Sequence, residues 1–345
     1  MHSDVRHVAL VIVHYRTVAD TIECLESVLR LEVPQGVAQS VVVVDNASDD
    51  GTWDELLAWR SRQRALWIRE YGAAELIVGV TAASTHRLVD TGWEVTMTRA
   101  AQNNGYAAGA NIGIRFAIHQ SYVTDFWVLN NDVVLDSKSL LHSLQRSERS
   151  PRKIYGSSLL YQDDSSKLQA AGGAVYLPAL GRSRHVAKRQ ELTKCERQSY
   201  DFDYIVGAAL FFSREVLEEI GLLPEQFGLY FEETEYCFRA KARGIDLEWI
   251  PEARLVHKEG RSTGASGGFS RLSDLSFRYV VRNSMMYTEM RYPMWLSTVL
   301  LYNLFDCVRH CLRGDFGKVP VFGQALKEYW ERRPLLAREA SAVGD

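Results

Sequence analysis

Two short, uninterrupted apolar runs near the amino end constrain the fold more than any other feature of the sequence. They are Val8–Val13 (VALVIV) and Ser40–Val44 (SVVVV), and such runs are typical of strands buried on both faces of a parallel sheet. Between them, apolar residues recur at helical spacing from Val18 to Leu31. A strand, a helix and a strand in this order form a βαβ unit, which predicts an α/β protein with a doubly wound sheet.

Polar side chains collect where these strands end. Asp45 and Asp50 follow the second strand, and the apolar run Phe126–Leu129 stops at Asn130-Asn131-Asp132. Ligands of doubly wound sheets bind beyond the carboxyl ends of the strands, so we expect a site at this edge. A buried, unpaired Asp132 would be costly, which favours a nearby Mg²⁺ or Mn²⁺ that also binds diphosphate oxygens. The alternative interpretation is an ordinary polar turn.

Three further segments carry candidate site residues. Small residues between Asn103 and Gly113 would let the backbone approach a ligand, or would let a helix pack closely on the sheet. Glu232 and Glu233 open a predicted helix whose dipole would keep a carboxylate ionised, as a general base requires, although acids are common there as dipole partners. His257 would be a metal ligand or a structural histidine.

Composition excludes some classes of protein. With 345 residues and a formal charge of −3, the chain has room for one large domain with an extension, and it lacks the basic excess of nucleic-acid binders. Five scattered cysteines suggest neither a zinc site nor a disulfide framework. The segment after the first strand reads HYRTVAD instead of GxGxxG, which disfavours a dehydrogenase. The amino end shows no signal-peptide pattern, so the cytoplasm is the expected compartment.

Three segments are predicted only in outline. In residues 67–93 the apolar residues show no clear helical or strand periodicity, and the basic stretch Gly181–Ser199 is predicted to be a mobile loop. Pro293–Val308 is strongly apolar but shorter than the roughly 20 residues that span a bilayer. Core packing or an oligomer contact is expected there, and nearby basic residues also allow contact with an anionic membrane surface. The basic residues are Arg309, Arg313, Lys318 and Lys327.

Seven segments, taken together and in order, resemble the inverting family 2 glycosyltransferases of the GT-A fold, and bacterial rhamnosyltransferases in particular. They span about Val8 to Asn283. The segments are VALVIVHYRT, VVVVDNASDDGT, NNGYAAGANIGI, FWVLNNDVVL, VGAALFFSREVLEEIGLLPEQFGLYFEETEYCFRAKARG, IPEARLVHKEGRSTG and the pair Arg282-Asn283.

The resemblance implies a nucleotide site on the first half of the chain. Asp45 would contact the nucleotide base, and Asp50 would contact the base or the ribose. Asn104, Gly105 and Asn131 would complete this site.

The resemblance also implies the metal and catalytic residues. Asn130-Asn131-Asp132 stands where relatives carry a DxD motif, so Asp132 would bind Mg²⁺ or Mn²⁺, with His257 completing the metal or diphosphate site. Glu232 and Glu233 stand where relatives have Glu-Asp, so Glu233 would be the general base and Glu232 would contact the acceptor.

The implied function is transfer of a sugar, L-rhamnose from dTDP-L-rhamnose or a sugar from a UDP-sugar donor, to a cell-surface glycan or its lipid-linked precursor. The implied domains are a GT-A catalytic domain over 1–265, with a nucleotide-binding half 1–136 and an acceptor half 137–265, and a helical extension over 266–345. That extension would mediate a peripheral contact with the inner face of the cell membrane or a homo-oligomer. The alternatives are a catalytically degenerate sugar-nucleotide-binding protein and a nucleotide-sugar hydrolase.

Overall fold

The computed structural model of the chain describes residues 5–120, 122–258 and 272–342, with side chains to residue 333 except that of residue 120. The strands are β1 (His7–His14), β2 (Ala38–Asp45), β3 (Ala65–Glu70), β4 (Val80–Leu88), β5 (Glu94–Ala100), β6 (Asp125–Asn130), β7 (Val133–Leu135), β8 (Lys153–Tyr161), β9 (Leu168–Ala171), β10 (Gly173–Leu177), β11 (Arg182–His185), β12 (Tyr204–Ile205), β13 (Ala209–Ser213) and β14 (Asp246–His257). The helices are α1 (Val18–Val28), α2 (Thr52–Ser61), α3 (Tyr106–Gln120), α4 (Ser139–Arg149), α5 (Leu192–Cys195), α6 (Arg214–Ile220), α7 (Glu232–Ala242), α8 (Asp274–Arg291), α9 (Leu296–Cys311) and α10 (Lys318–Ala342).

Eleven of the described strands form one sheet whose centre is parallel. Strands β5, β2, β1 and β6 lie side by side in parallel, and mostly antiparallel strands extend the sheet on both sides. In the register of this centre His14 lies opposite Asp45, and Val13 lies opposite Asn130. The predicted α/β fold is therefore confirmed, and the polar ends of β2 and β6 share one edge of the sheet.

Helix α3 lies unusually close to this sheet because two of its residues are glycines. A Cβ atom on Gly109 would lie 2.8 Å from Val13 Cγ1, and one on Gly113 would lie 2.4 Å from Val11 Cγ1. Both distances are too short for carbon atoms that are not bonded to each other. The interpretation of these glycines as packing residues is therefore confirmed, and the close approach brings the amino end of α3 to the site edge.

The predicted loop over Gly181–Ser199 is wrong, since β11 and α5 lie within it. The basic residue Arg182 is buried, with its Nη2 2.9 Å from Asp306 Oδ2 and 2.8 Å from Asn303 Oδ1 on α9. A guanidinium is tolerated inside the protein when a carboxylate and hydrogen-bond acceptors surround it. The residues without a clear period, 67–93, contain most of β3 and all of β4, which pair antiparallel at the sheet edge.

The predicted carboxyl-terminal extension contains α8, α9 and α10, and its predicted start at residue 266 lies outside the described residues. Helix α9 buries Val299 and Cys307 but exposes a row of large apolar side chains, so core packing accounts for only one of its faces. The exposed residues are Leu300, Leu301, Leu304, Phe305 and Val308. Among the described helices, none combines the length and apolar character needed to cross a bilayer. Contact of this face with a membrane or a second copy stays a prediction.

The close approach of α3 gives a stability test. We expect Gly113→Ala to destabilise the protein by about 1–3 kcal/mol, since Val11 has a stiff side chain and the sheet must move away. In Gly323→Ala on α10, the new Cβ has no neighbour within 4 Å among the described atoms. This control should stabilise the protein by up to about 1 kcal/mol, because alanine favours a helix more than glycine does. Urea unfolding measures both, and equal effects of the two substitutions would contradict the argument.

Candidate active site

The turn between β6 and β7 carries Asp132, and a second strand brings a histidine to it. Strand β7 pairs antiparallel with the end of β14, which places His257 opposite Val133. The backbone N–H of Lys258 then donates to the carbonyl oxygen of Asp132 at 3.0 Å. As a result His257 Nε2 lies 3.4 Å from Asp132 Oδ1, and the carboxyl of Asp132 is almost fully buried. The structure thus brings together the two predicted metal ligands.

A residue that the sequence did not single out fixes the orientation of this histidine. Gln169 on β9 accepts a hydrogen bond from His257 Nδ1 at 2.9 Å and donates to the carbonyl oxygen of His257 at 2.6 Å. With the proton on Nδ1, the Nε2 lone pair of a neutral ring points toward the carboxylate of Asp132. Two such electron-rich groups repel each other unless a proton or a metal ion lies between them.

The residues at this point fit a divalent ion with an incomplete protein ligand set. Burial acts to raise the pKa of Asp132, but when His257 carries a second proton, on Nε2, its hydrogen bond and positive charge outweigh burial, so this pKa lies below its usual value. Asp132 is therefore ionised at neutral pH. Across the described ranges, no group of three or more His, Cys, Asp and Glu side chains is arranged to hold a metal. A carboxylate and an imidazole would suit an ion whose other ligands are oxygens of a bound diphosphate.

The amino end of α7 carries a pair of acids in a different environment. Glu232 is buried and Glu233 is partly exposed, and Oε2 of each is enclosed without a hydrogen-bond partner among the described residues. Burial, followed by the charge of Glu233, raises the pKa of Glu232 well above its usual value. Burial raises the pKa of Glu233 to about 7. At neutral pH, Glu232 therefore keeps its proton, while Glu233 is poised to accept one.

Tyr106, at the first position of α3, is influenced both by the glutamate pair and by Asp132. Its buried hydroxyl donates to the carbonyl oxygen of Gly207 at 3.4 Å, and Glu233 packs against the same glycine. The pKa of Tyr106 is raised well above its usual value, first by burial and then by the charges of Glu232, Glu233 and Asp132. One phenol therefore lies within electrostatic reach of the candidate base and of the candidate metal ligand. The sequence contained no signal for this role beyond the glycine-rich segment around Tyr106.

The predicted nucleotide residues on the first half of the chain have varied surroundings. Asp45 lies at the site edge, but its carboxyl is fully buried, with Oδ1 accepting from the backbone of Ser48 and Oδ2 3.3 Å from Arg99 Nε. Burial raises the pKa of Asp45, although Ser48 and Arg99 oppose this effect. The exposed Asp50 accepts from Thr52 Oγ1 at 2.6 Å at the start of α2.

The remaining predicted nucleotide residues lie in two loops. Asn104 is exposed beside Gly105, whose φ of 96° favours glycine and whose N–H donates to Asn103 Oδ1. The amide of Asn131 points away from this edge, since Nδ2 donates to Thr17 Oγ1 and Thr21 Oγ1 at 2.8 and 2.9 Å. In this conformation the two hydrogen bonds of Asn131 link the Asp132 turn to α1.

Comparison with known proteins adds two relatives and a set of structural neighbours. None of the protein-family models matches the chain. The low-salt glycan biosynthesis hexosyltransferase Agl10 of Haloferax volcanii is 24% identical over 229 residues, which are 64% of this chain and 71% of that protein. The dTDP-rhamnosyl transferase RfbF of Shigella flexneri is 22% identical over 160 residues, 46% of this chain and 50% of that protein.

Among solved structures, the crystal structure of GalNAc-T7 with UDP, GalNAc and Mn²⁺ superposes with a TM-score of 0.57 at 12% identity. The match covers 85% of this chain and 49% of that one. The fold is therefore the GT-A fold, and the relatives together with this fold indicate a glycosyltransferase.

The role of Gln169 can be tested without turnover. We expect Gln169→Leu to weaken Mn²⁺ binding in the presence of UDP or dTDP by about 10- to 100-fold, because His257 loses the partner that fixes its tautomer. Electron paramagnetic resonance of free Mn²⁺ measures this affinity. Gln198→Leu, at an exposed position, is the control and should bind as the wild type does. An unchanged affinity in Gln169→Leu would contradict the orienting role.

The raised pKa of Glu233 has a consequence for stability. A carboxyl whose folded-state pKa is raised stabilises the fold at low pH, and this contribution is lost as pH rises through about 7. Glu233→Gln should therefore be more stable than the wild type at pH 8 and similar to it near pH 4, as measured by urea unfolding. The matched control is Glu55→Gln, which removes an exposed acid from the first turn of α2 and should not stabilise at pH 8. A Glu233→Gln protein that is less stable than the wild type at pH 8 would refute the assignment.

Proposed function

We propose that the protein is an inverting glycosyltransferase of the family 2 type that moves a sugar from a nucleotide diphosphate to a hydroxyl group of a glycan or a lipid-linked glycan precursor. The observation that carries this proposal is the arrangement around Tyr106: its hydroxyl donates to Gly207, against which the base candidate Glu233 packs, and the charges of Glu233 and Asp132 both raise the pKa of this phenol. The GT-A fold and the glycosyltransferase relatives support the same class of reaction.

The donor that we propose is dTDP-L-rhamnose. Support comes from the similarity to RfbF, a dTDP-rhamnosyl transferase, and from the family resemblance of the sequence, and UDP-sugars are the alternative. The proposed compartment is the cytoplasm, with the exposed apolar face of α9 available for contact with the inner face of the membrane.

In the proposed mechanism, Glu233 acts as general base. Its carboxylate accepts the proton of the acceptor hydroxyl, and the oxygen of that hydroxyl attacks the anomeric carbon from the face opposite the nucleotide. The bond from this carbon to the diphosphate oxygen breaks with its electron pair remaining on the diphosphate, so one displacement inverts the anomeric centre. The transition state resembles an oxocarbenium ion, as in glycoside hydrolysis.

The other groups of the site have supporting roles in this scheme. Asp132 and His257 would hold a Mg²⁺ or Mn²⁺ ion, whose positive charge would offset the charge of the departing diphosphate. The protonated Glu232 can both donate and accept a hydrogen bond, which suits an acceptor hydroxyl group. The burial of the two carboxyl groups holds the pKa of Glu233 near neutrality.

The test combines donor binding with turnover. The wild type is titrated with dTDP-L-rhamnose, UDP-glucose, UDP-galactose and GDP-mannose, with and without Mn²⁺, and the thermal shift is measured. We expect a Mn²⁺-dependent rise with dTDP-L-rhamnose that Asp132→Ala abolishes. With a glycan acceptor, kcat/KM should rise with pH up to about 7 and then level off, and Glu233→Gln should lower kcat by about 10²- to 10⁴-fold while donor binding is retained.

The outcomes separate the alternatives. Binding of a donor without transfer to any acceptor would favour the catalytically degenerate protein. Release of free sugar at a rate that an added acceptor does not change would favour the hydrolase. A shift with another donor alone would replace dTDP-L-rhamnose and leave the class of reaction standing.

A further inference from the structure

The segment that leads into the catalytic helix has an unfavourable backbone conformation. Gly228, Tyr230 and Phe231 have φ angles of 75°, 65° and 75°. Glycine adopts such angles freely, but two consecutive residues with side chains in the left-handed region are rare and cost free energy. The conformation of Phe227–Phe231 therefore needs support from outside the segment.

That support comes from one amide on α8. The side chain of Asn283 is fully buried, and its Nδ2 lies 2.9, 2.7 and 3.0 Å from the carbonyl oxygens of Phe227, Leu229 and Tyr230. The three carbonyl groups thus converge on one NH₂ group.

The neighbouring arginine fixes the orientation of this amide. Arg282 Nε donates to Asn283 Oδ1 at 2.8 Å, so the NH₂ group of Asn283 is the one that faces the segment. The same guanidinium donates to the carbonyl oxygen of Phe227 and pairs with Glu328 on α10 at 3.2 Å. Asn283 is thereby held by groups on α8 and α10.

The supported segment reaches both sides of the site. Glu232 and Glu233 are the first two residues of α7, directly after Phe231. At its other end, the carbonyl oxygen of Gly228 accepts from the backbone N–H of Tyr106 at 2.6 Å. The position of this segment therefore sets the distance between the glutamate pair and the phenol that lies near Asp132.

A second contact ties α7 to the same helix. Glu235 is buried, and its carboxylate binds Arg239 at 2.7 Å and Arg291 at 2.5 Å. Arg291 is the last residue of α8, so α8 holds α7 through the segment before it and through its first turn.

We propose that Asn283 is a positioning residue that holds Phe227–Phe231 so that the Glu233 carboxylate faces the acceptor hydroxyl. This inference rests on the proposed function for the meaning of that geometry, but the geometry itself can be tested without it. Asn283 touches neither sugar nor nucleotide in this scheme and acts only through the segment.

The first experiment measures turnover in Asn283→Ala. We expect kcat to fall by about 100-fold, as is usual when a reacting group is displaced by about 1 Å. We also expect the pH midpoint of kcat/KM to move to lower pH, because a loosened Glu233 becomes better hydrated. The matched control is Asn303→Ala, which removes an equally buried amide that donates to Ser284 on α8 and accepts from Arg182 on β11. It should lose stability but keep the wild-type pH midpoint, and a shift as large as that of Asn283→Ala would overturn the proposal.

A rescue distinguishes positioning from general loss of structure. In the Asn283→Ala background, Tyr230→Gly should recover part of the lost kcat, because glycine adopts a positive φ angle without support. Asn283→Ser keeps one donor group, so its kcat should lie between those of the wild type and Asn283→Ala. This variant replaces Asn283→Ala in the test if the alanine variant does not fold. Absence of recovery in the double variant together with a wild-type kcat in Asn283→Ser would refute the role.

The last experiment does not depend on turnover. Urea midpoints at pH 8 are compared for the wild type, Glu233→Gln, Asn283→Ala and the double variant. If Asn283 holds Glu233 in its buried environment, the increase in midpoint caused by Glu233→Gln should be lost when Asn283 is alanine. An undiminished increase would overturn the inference, whereas absence of glycosyl transfer in the wild type would count against the proposed function alone.

Discussion

The pairing of the short strand β7 with the end of β14 is the interaction on which the site depends. Strand β7 has only three residues, and on its own it could not fix the direction of the Asp132 side chain. Its ladder with Leu255, Val256 and His257 aligns two parts of the chain that are far apart in sequence. Because backbone hydrogen bonds set this register, a shift by one residue would move His257 to the opposite face of the sheet and away from Asp132.

The acids of the site differ in protonation because their neighbours differ. Asp132 is buried beside His257, and the protonated ring of this histidine favours the charged form of the carboxyl. Glu232 and Glu233 are enclosed beside each other, which favours the neutral form. One small region therefore holds an ionised carboxylate at Asp132 and a carboxyl group with a pKa near neutrality at Glu233. Separation of this kind assigns roles to chemically similar groups without any change in residue type.

The sequence predicted those features that depend on local pattern. The runs that became β1, β2 and β6 are buried strands because continuous apolar residues leave few other options, and the acids after them lie at the strand ends for the same reason. Contacts between distant residues could not be predicted in this way. No sequence pattern pointed to Gln169, because its role depends on a hydrogen bond with a histidine 88 positions away.

The direction in which a polar side chain points could not be predicted from the sequence either. Asn131 belongs to a motif of site residues, yet its amide binds two threonines of α1. Arg182 was predicted to lie in a mobile loop, but it is buried, because a carboxylate on α9 neutralises it.

The support that α8 gives to the segment before α7 has a consequence for synthesis: the chain through Glu233 leaves the ribosome well before Asn283 does. At about 5–20 residues per second, the sheet has seconds to form while the glutamate pair is still unsupported. The geometry of the candidate site is therefore completed late in translation, after the sheet that carries it.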